Sequence, residues 1–261
     1  MIRRFFVQLA TAFTFLTRFP LVARWSSGDP YDLAASGRFF PVVGYAIGGL
    51  GAAVYYYSAH VFSLPFAALL AVVALPLLTG AFHEDGLGDT ADGLGGAFEK
   101  KRKLEIMRDS RIGTYGTVAL LSLFLLRWQL FMEIPMNVVF LALISAHVIA
   151  RWSTVMLGWM MPYVREGASN KPVADGMRGK EFLIATFFAA LWLFADWQLH
   201  ALSMAVGVLV ACGAAAWFRR QIGGVTGDTL GAANIAVEIG VLMTWNIADR
   251  LGYWAQKMVT F

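Results

Sequence analysis

Seven of the seventeen acidic residues fall between positions 84 and 109: Glu84, Asp85, Asp89, Asp92, Glu99, Glu105 and Asp109. Asp85, Asp89 and Asp92 are spaced i, i+4, i+7, which places three carboxylates on one face of a helix. Three like charges on one face repel each other, and a divalent cation relieves them. An all-oxygen donor set favours Mg²⁺ over zinc or copper. His83 adjoins the cluster, either as a further ligand or as a hydrogen-bond partner of a carboxylate or substrate. Gly86, Gly88, Gly93, Gly95 and Gly96 are interleaved with the acids. Each disfavours a helix by about 1 kcal/mol relative to Ala, so the stretch implies a broken helix or the close approach of a bulky group, as a phosphate requires.

Basic residues follow at once. The run Lys100 to Lys103 reads as an orienting patch against anionic lipid. Arg108 and Arg111, beside Asp109 and the small-residue run Gly113 to Gly116, suit bidentate pairing with phosphate oxygens. Acids, cation and arginines together describe a site for a pyrophosphate or phosphodiester. Two more places add to it. Asp228, in the Gly-rich stretch 223–229, is near a helix start, where it either caps the helix or joins the metal ligands. His147 and Arg151, spaced i, i+4 in an apolar run, share a helix face, and an intramembrane Arg rarely faces lipid.

These residues must be positioned by membrane helices. Of the 261 residues, 58% are apolar and 15% charged, and the mean hydropathy is +0.61, whereas a soluble domain carries roughly 25% charged residues. The fold class is therefore all-α, a polytopic membrane helix bundle of one domain. About seven spans are predicted, near 39–60, 64–82, 114–132, 135–159, 182–197, 199–218 and 229–248, each long enough to approach the roughly 20 residues a crossing needs. Residues 1–24 pattern as an amphipathic helix lying in the membrane interface, with Phe5, Phe6, Leu9, Phe13, Leu16 and Phe19 on one side and Gln8, Thr11 and Arg18 on the other. Lys and Arg number six in 83–113, four in 160–181 and two in 219–228, which puts these polar stretches in the cytoplasm. The net charge of +4 thus serves orientation, and no nucleic-acid partner is expected. Cys212, the only cysteine, reads as a small buried hydrophobe.

Four stretches carry a family resemblance: Phe5 to Pro20 (FFVQLATAFTFLTRFP), Phe82 to Gly96 (FHEDGLGDTADGLGG), Arg108 to Gly116 (RDSRIGTYG) and Gly223 to Gly231 (GGVTGDTLG). In them the chain resembles the adenosylcobinamide-GDP ribazoletransferase, or cobalamin (5'-phosphate) synthase, family of the bacterial inner membrane. It departs from the usual pattern at Glu84, a charge without an assigned role. The resemblance implies the last assembly step of the cobalamin nucleotide loop, in which a hydroxyl of α-ribazole or its 5'-phosphate attacks a phosphate of adenosylcobinamide-GDP and GMP is released. It implies Mg²⁺ as cofactor, and as partners the two substrates, the lipid bilayer and other enzymes of nucleotide-loop assembly. On this reading Asp85, Asp89, Asp92 and Asp228 hold the metal and, with His83, do the chemistry. Arg108, Asp109, Arg111, Arg151, Gly93, Gly95 and Gly96 then bind substrate.

Another Mg²⁺-dependent membrane phosphotransferase, of CDP-alcohol or polyprenyl diphosphate type, is the enzymatic alternative. A secondary transporter is the alternative from another class, but its ionisable groups would sit near the midplane of an internal repeat. Here the acids lie at one membrane edge.

Overall fold

The computed structural model describes residues 2–19, 24–165, 177–194 and 196–253. Pro20, Lys171 and Lys257 lie outside them. The helices are α1 Ile2–Leu16, α2 Pro30–Ser36, α3 Phe40–Ser58, α4 Leu64–Thr79, α5 Phe82–Gly96, α6 Lys100–Ile106, α7 Thr114–Glu133, α8 Val139–Met160, α9 Gly179–Ala190, α10 Trp197–Ile222 and α11 Gly227–Arg250. Among the described residues the only strand-like pairing is a single parallel bridge between Tyr163 and Val225.

The bundle is built around α8, whose residues from Ser145 through Gly158 are all buried. Helices α3 and α11 pack most closely on it. The α3 contact depends on Gly44 and Gly48, one turn apart: a Cβ at either would come within 2.6 Å of a carbonyl oxygen of α8, at His147 or Leu143. In lipid, where burying apolar surface drives helices together only weakly, such small residues let backbones close to van der Waals distance. Helices α7 and α10 are largely uncovered by protein and present their apolar side chains outward.

Among the described residues five helices are long and apolar enough to cross a membrane, and the bent pair α4 and α5 raises the number to at most six. Within the expected span at 182–197, α9 has 12 residues, about 18 Å of helix, extended by a short 3-10 turn at Leu191–Phe194. It still packs along α8, where Trp152 Nε1 donates to Thr186 and Trp192 Nε1 donates to Ser145. Helix α4 does not run straight on into the acidic segment. Gly80 (φ 69°) and Ala81 (φ 56°) both take the left-handed conformation, and α5 leaves at 90° to α4. Cys212 is exposed on α10, not buried.

Helix α1 is amphipathic as the pattern suggests, with its polar side inward. Gln8 Nε2 and Arg4 Nε both donate to Asp32 of α2, at 2.7 and 2.9 Å, and Arg38 pairs with Gln8. Ile2, Phe5 and Phe6 point outward, as they would toward lipid.

An ionic cluster lies inside the bundle. Arg127 of α7, 1% exposed, donates through Nε and Nη2 to both carboxylate oxygens of Glu238 on α11, at 2.7 and 2.9 Å. Its Nη1 donates to Glu84 of α5 at 2.6 Å. One planar fork thereby ties three helices, and Glu84 acquires a role that its sequence position did not reveal. Arg151 bonds His147 at 2.7 Å, and His147 Nδ1 lies 3.6 Å from Glu238, so two guanidinium groups face two carboxylates. Removing one member leaves a buried charge uncompensated, a loss of about 3–5 kcal/mol. Arg127→Met should therefore lower the unfolding midpoint in detergent strongly. Arg250→Ala, which removes an exposed pair with Glu133, should barely move it, and equal shifts in the two variants would contradict this account.

Candidate active site

Helix α5 forms despite its glycines because neighbouring backbone fills the space that side chains would take. A Cβ on Gly86 would sit 2.8 Å from the carbonyl oxygen of Asp228, so α5 lies directly against the first turn of α11. A Cβ on Gly93 would sit 2.9 Å from the Lys103 carbonyl, and one on Gly95 would sit 2.8 Å from the Tyr115 ring. The bulky partner of Gly86, Gly93 and Gly95 is thus the protein itself. Gly96 is exposed at the end of α5, with Ile106 as its nearest neighbour.

The close contact at Gly86 brings the acidic face of α5 to Asp228. Asp89 feels the negative charges of Asp228, Asp85 and Asp92, opposed by the positive charge of Arg165. Asp85 is exposed and Asp89 half-buried, and neither accepts a hydrogen bond or pairs with a cation among the described residues. Asp92 is buried and already engaged. Its two oxygens accept from the backbone amides of Gly113 at 2.7 Å and Gly116 at 2.8 Å, which holds the start of α7, where the helix dipole favours a carboxylate. Gly116 permits this, since a Cβ there would also come within 2.9 Å of the Gly88 carbonyl.

Asp228 does not cap α11. The cap is Thr226, whose hydroxyl accepts from the Thr229 amide while the Thr229 hydroxyl accepts from the Thr226 amide, a reciprocal capping box. The Asp228 carboxylate instead pairs with Arg165, whose Nη2 lies 2.5 Å from Oδ2 and Nη1 3.4 Å from Oδ1, and its Oδ2 also accepts from the Thr226 hydroxyl at 3.4 Å. Arg165 was not singled out by its sequence setting, where it counts only as one of the orienting cations. What places it is the Tyr163–Val225 bridge: the Val164 amide donates to Val225 and the Val225 amide to Pro162, both at 2.9 Å.

The other expected site residues are distributed around this core. Arg111 and Asp109 pair with each other at 2.6 Å on the loop between α6 and α7. The side-chain and backbone hydrogen bonds from Arg111 hold the Asp109 carboxyl down at about 2. Arg108 is exposed on the same loop. Of the basic run, Lys103 is buried and bonds Gln221 of α10, whereas Lys100, Lys101 and Arg102 are exposed. His83 is 3% exposed. It lies in an apolar pocket with Phe15, Phe40, Phe82 and Tyr163, its ring nitrogens bonding no described residue. Arg151 sits in the interior ionic cluster below the carboxylates, away from the Arg108–Arg111 loop.

A hard divalent cation suits the donor chemistry of Asp85, Asp89 and Asp228, all carboxylates, two of them without a counter-cation. Among the described residues no three His, Cys, Asp or Glu side chains are gathered into a metal-holding group. The fit is therefore one of donor type, and Arg165 stands as the counter-cation of Asp228.

The family model described as Cobalamin-5-phosphate synthase matches residues 8–246. Relatives named adenosylcobinamide-GDP ribazoletransferase include one from Shewanella piezotolerans, 42% identical over 87% of this chain and 90% of its own length. Another, from Shewanella amazonensis, is 40% identical over 90% of this chain and 94% of its own. A third, from Leptothrix cholodnii, is 38% identical over 93% and 94%. No solved structure matches the chain. With a family match over residues 8–246 and relatives about 40% identical over most of its length, the chain belongs to the cobalamin-5-phosphate synthase family.

Proposed function

We propose that this protein joins adenosylcobinamide-GDP to α-ribazole, or to α-ribazole 5'-phosphate, and releases GMP, at the cytoplasmic edge of the bacterial inner membrane. The observation that carries the reading is the meeting of Asp85 and Asp89 on α5 with Asp228 on α11 and Arg165 beside it. Such a cluster is built for phosphate chemistry: negative groups to accept a proton or hold a cation, and guanidinium groups to take phosphate oxygens.

In the reaction a ribazole hydroxyl attacks the phosphorus bonded to the corrinoid. The bond from that phosphorus to the bridging oxygen breaks, and GMP leaves with the oxygen. The hydroxyl proton passes to a carboxylate of the cluster, for which Asp85 and Asp89 are unencumbered. Arg165, with Arg108 and Arg111 on the adjoining loop, neutralises the charge that builds on the phosphate oxygens. Asp92 acts through the backbone, holding the Gly113–Gly116 turn against α5. Mg²⁺, held by Asp85, Asp89 and Asp228, would supply a Lewis acid that stabilises the leaving phosphate. The cytoplasmic orientation is supported by the Lys and Arg content of the loops at this end.

Three outcomes are expected. Purified protein in detergent should release GMP from adenosylcobinamide-GDP only when α-ribazole or its phosphate and Mg²⁺ are both present; release without the ribazole, or none at all, would contradict the assignment. Asp228→Asn should lower kcat by a factor of about 100 or more with little change in melting temperature, because the cap it adjoins is Thr226. Retained activity would return Asp228 to a structural role. In a Cys212→Ser background, Lys100→Cys should resist an impermeant thiol reagent added outside intact cells, and efficient labelling from outside would invert the orientation.

A further inference from the structure

Among the described residues, Arg165 has a donor left over. Its two Nη atoms face Asp228, and Nη2 also donates to the Met107 carbonyl at 3.1 Å, but its Nε is enclosed without a hydrogen-bond partner among the described residues. The side chain is 12% exposed, and an unmade hydrogen bond on a buried cationic donor is costly. The backbone just before it is fixed by the bridge to Val225, whereas its side chain's polar contacts among the described residues are all made by the guanidinium at the end of a long side chain. Asp228, which it holds, is a carboxylate that a divalent cation would need, and Asp89 lies within reach of the same positive charge.

We propose that Arg165 is an exchangeable internal cation: it neutralises Asp228 in the resting protein, and a divalent cation bound by Asp228 and Asp89 displaces its guanidinium onto the pyrophosphate of the nucleotide substrate. Three observations converge on this exchange. The carboxylates of α5 and α11 are close enough to share a field but are not gathered into a metal-holding group. The cation among them is on a side chain, so it can leave. Its planar fork matches phosphate oxygens in a way that a carboxylate seen through Nη1 at 3.4 Å does not satisfy. A metal and a guanidinium repel, so once the metal is bound the guanidinium is driven from Asp228, and the nearest anion available to it is the substrate. Arg165 is then a substrate-binding residue whose availability depends on the metal. This deepens the phosphotransfer reading above and rests on it for the identity of the pyrophosphate.

Competition has a signature that a structural role lacks: removing Arg165 should tighten metal binding while impairing turnover. The experiment is calorimetric titration of the purified full chain in detergent with MgCl2 alone, for wild type, Arg165→Gln and Arg165→Lys, followed by steady-state GMP release. Arg165→Gln should bind Mg²⁺ about 5-fold or more tighter than wild type, as expected when a competing positive charge is removed from a carboxylate. The same variant should show a KM for adenosylcobinamide-GDP raised about 10-fold or more, as for loss of a charged phosphate contact, with the KM for α-ribazole unchanged. Arg165→Lys keeps the charge but not the fork, so it should bind Mg²⁺ like wild type and still lose nucleotide affinity. Mg²⁺ affinity in Arg165→Gln that equals or falls below that of wild type overturns the exchange, as does an unchanged KM for adenosylcobinamide-GDP. Tighter Mg²⁺ binding by Arg165→Gln in a preparation whose wild type releases no GMP would support the exchange at the carboxylates and reject the phosphotransfer reading.

Discussion

A bilayer offers no water to stabilise an isolated charge, and the fold depends on how Arg127 meets that constraint. Its guanidinium takes Glu238 with two donors and Glu84 with a third, so the helix carrying Asp85 and Asp89 is joined to the helix carrying Asp228 through one buried cation on α7. Helix α5 is short, rich in glycine and turned by 90° from α4; apolar burial alone would hold it weakly. The ion pairs, together with the close contact of Gly86 on the Asp228 backbone, set the separation of the carboxylates. Breaking such a pair leaves a stranded charge, so the arrangement is hard to distort without unfolding. Its stability and its specificity of alignment come from the same contacts.

Upward from this clamp the chemistry becomes progressively freer. Glu84 is paired with Arg127, Asp92 is committed to the start of α7, Asp228 holds Arg165 and the Thr226 hydroxyl, and Asp85 and Asp89 hold none among the described residues. The order runs from the bundle interior to the exposed edge. It separates carboxylates that position from carboxylates that can take a proton or a cation, a distinction that type and spacing alone do not make.

Much of this was readable in the amino-acid order. Membrane class follows from composition, the shared face of His147 and Arg151 from i, i+4 spacing, and the mutual field of Asp85, Asp89 and Asp92 from their i, i+4, i+7 spacing. Local spacing could not disclose Arg127 with Glu84 and Glu238, because the partners are 43 and 111 residues apart. Arg165 was hidden for the same reason, being brought to Asp228 by a backbone bridge of two bonds. The sequence left Asp228 either a cap or a metal ligand because helix starts favour acids, and the cap is made by Thr226 and Thr229. The 182–197 run is apolar enough for a span, and its division into a 12-residue α-helix and a 3-10 turn is a detail that hydropathy does not show. The glycines of α5 suggested a ligand's close approach, and Gly86, Gly93 and Gly95 proved to admit neighbouring protein groups.

Asp89 and Asp228 come from opposite halves of the chain, and the central claim is that they act as one site. The most direct measurement is a double-mutant cycle on kcat/KM for GMP release with Asp89→Asn, Asp228→Asn and the two combined. If both carboxylates serve one cation and one reacting phosphate, the double variant should be little worse than the weaker single variant, because each change already disables the shared site. Losses that multiply, as they do for independent sites, would contradict the account.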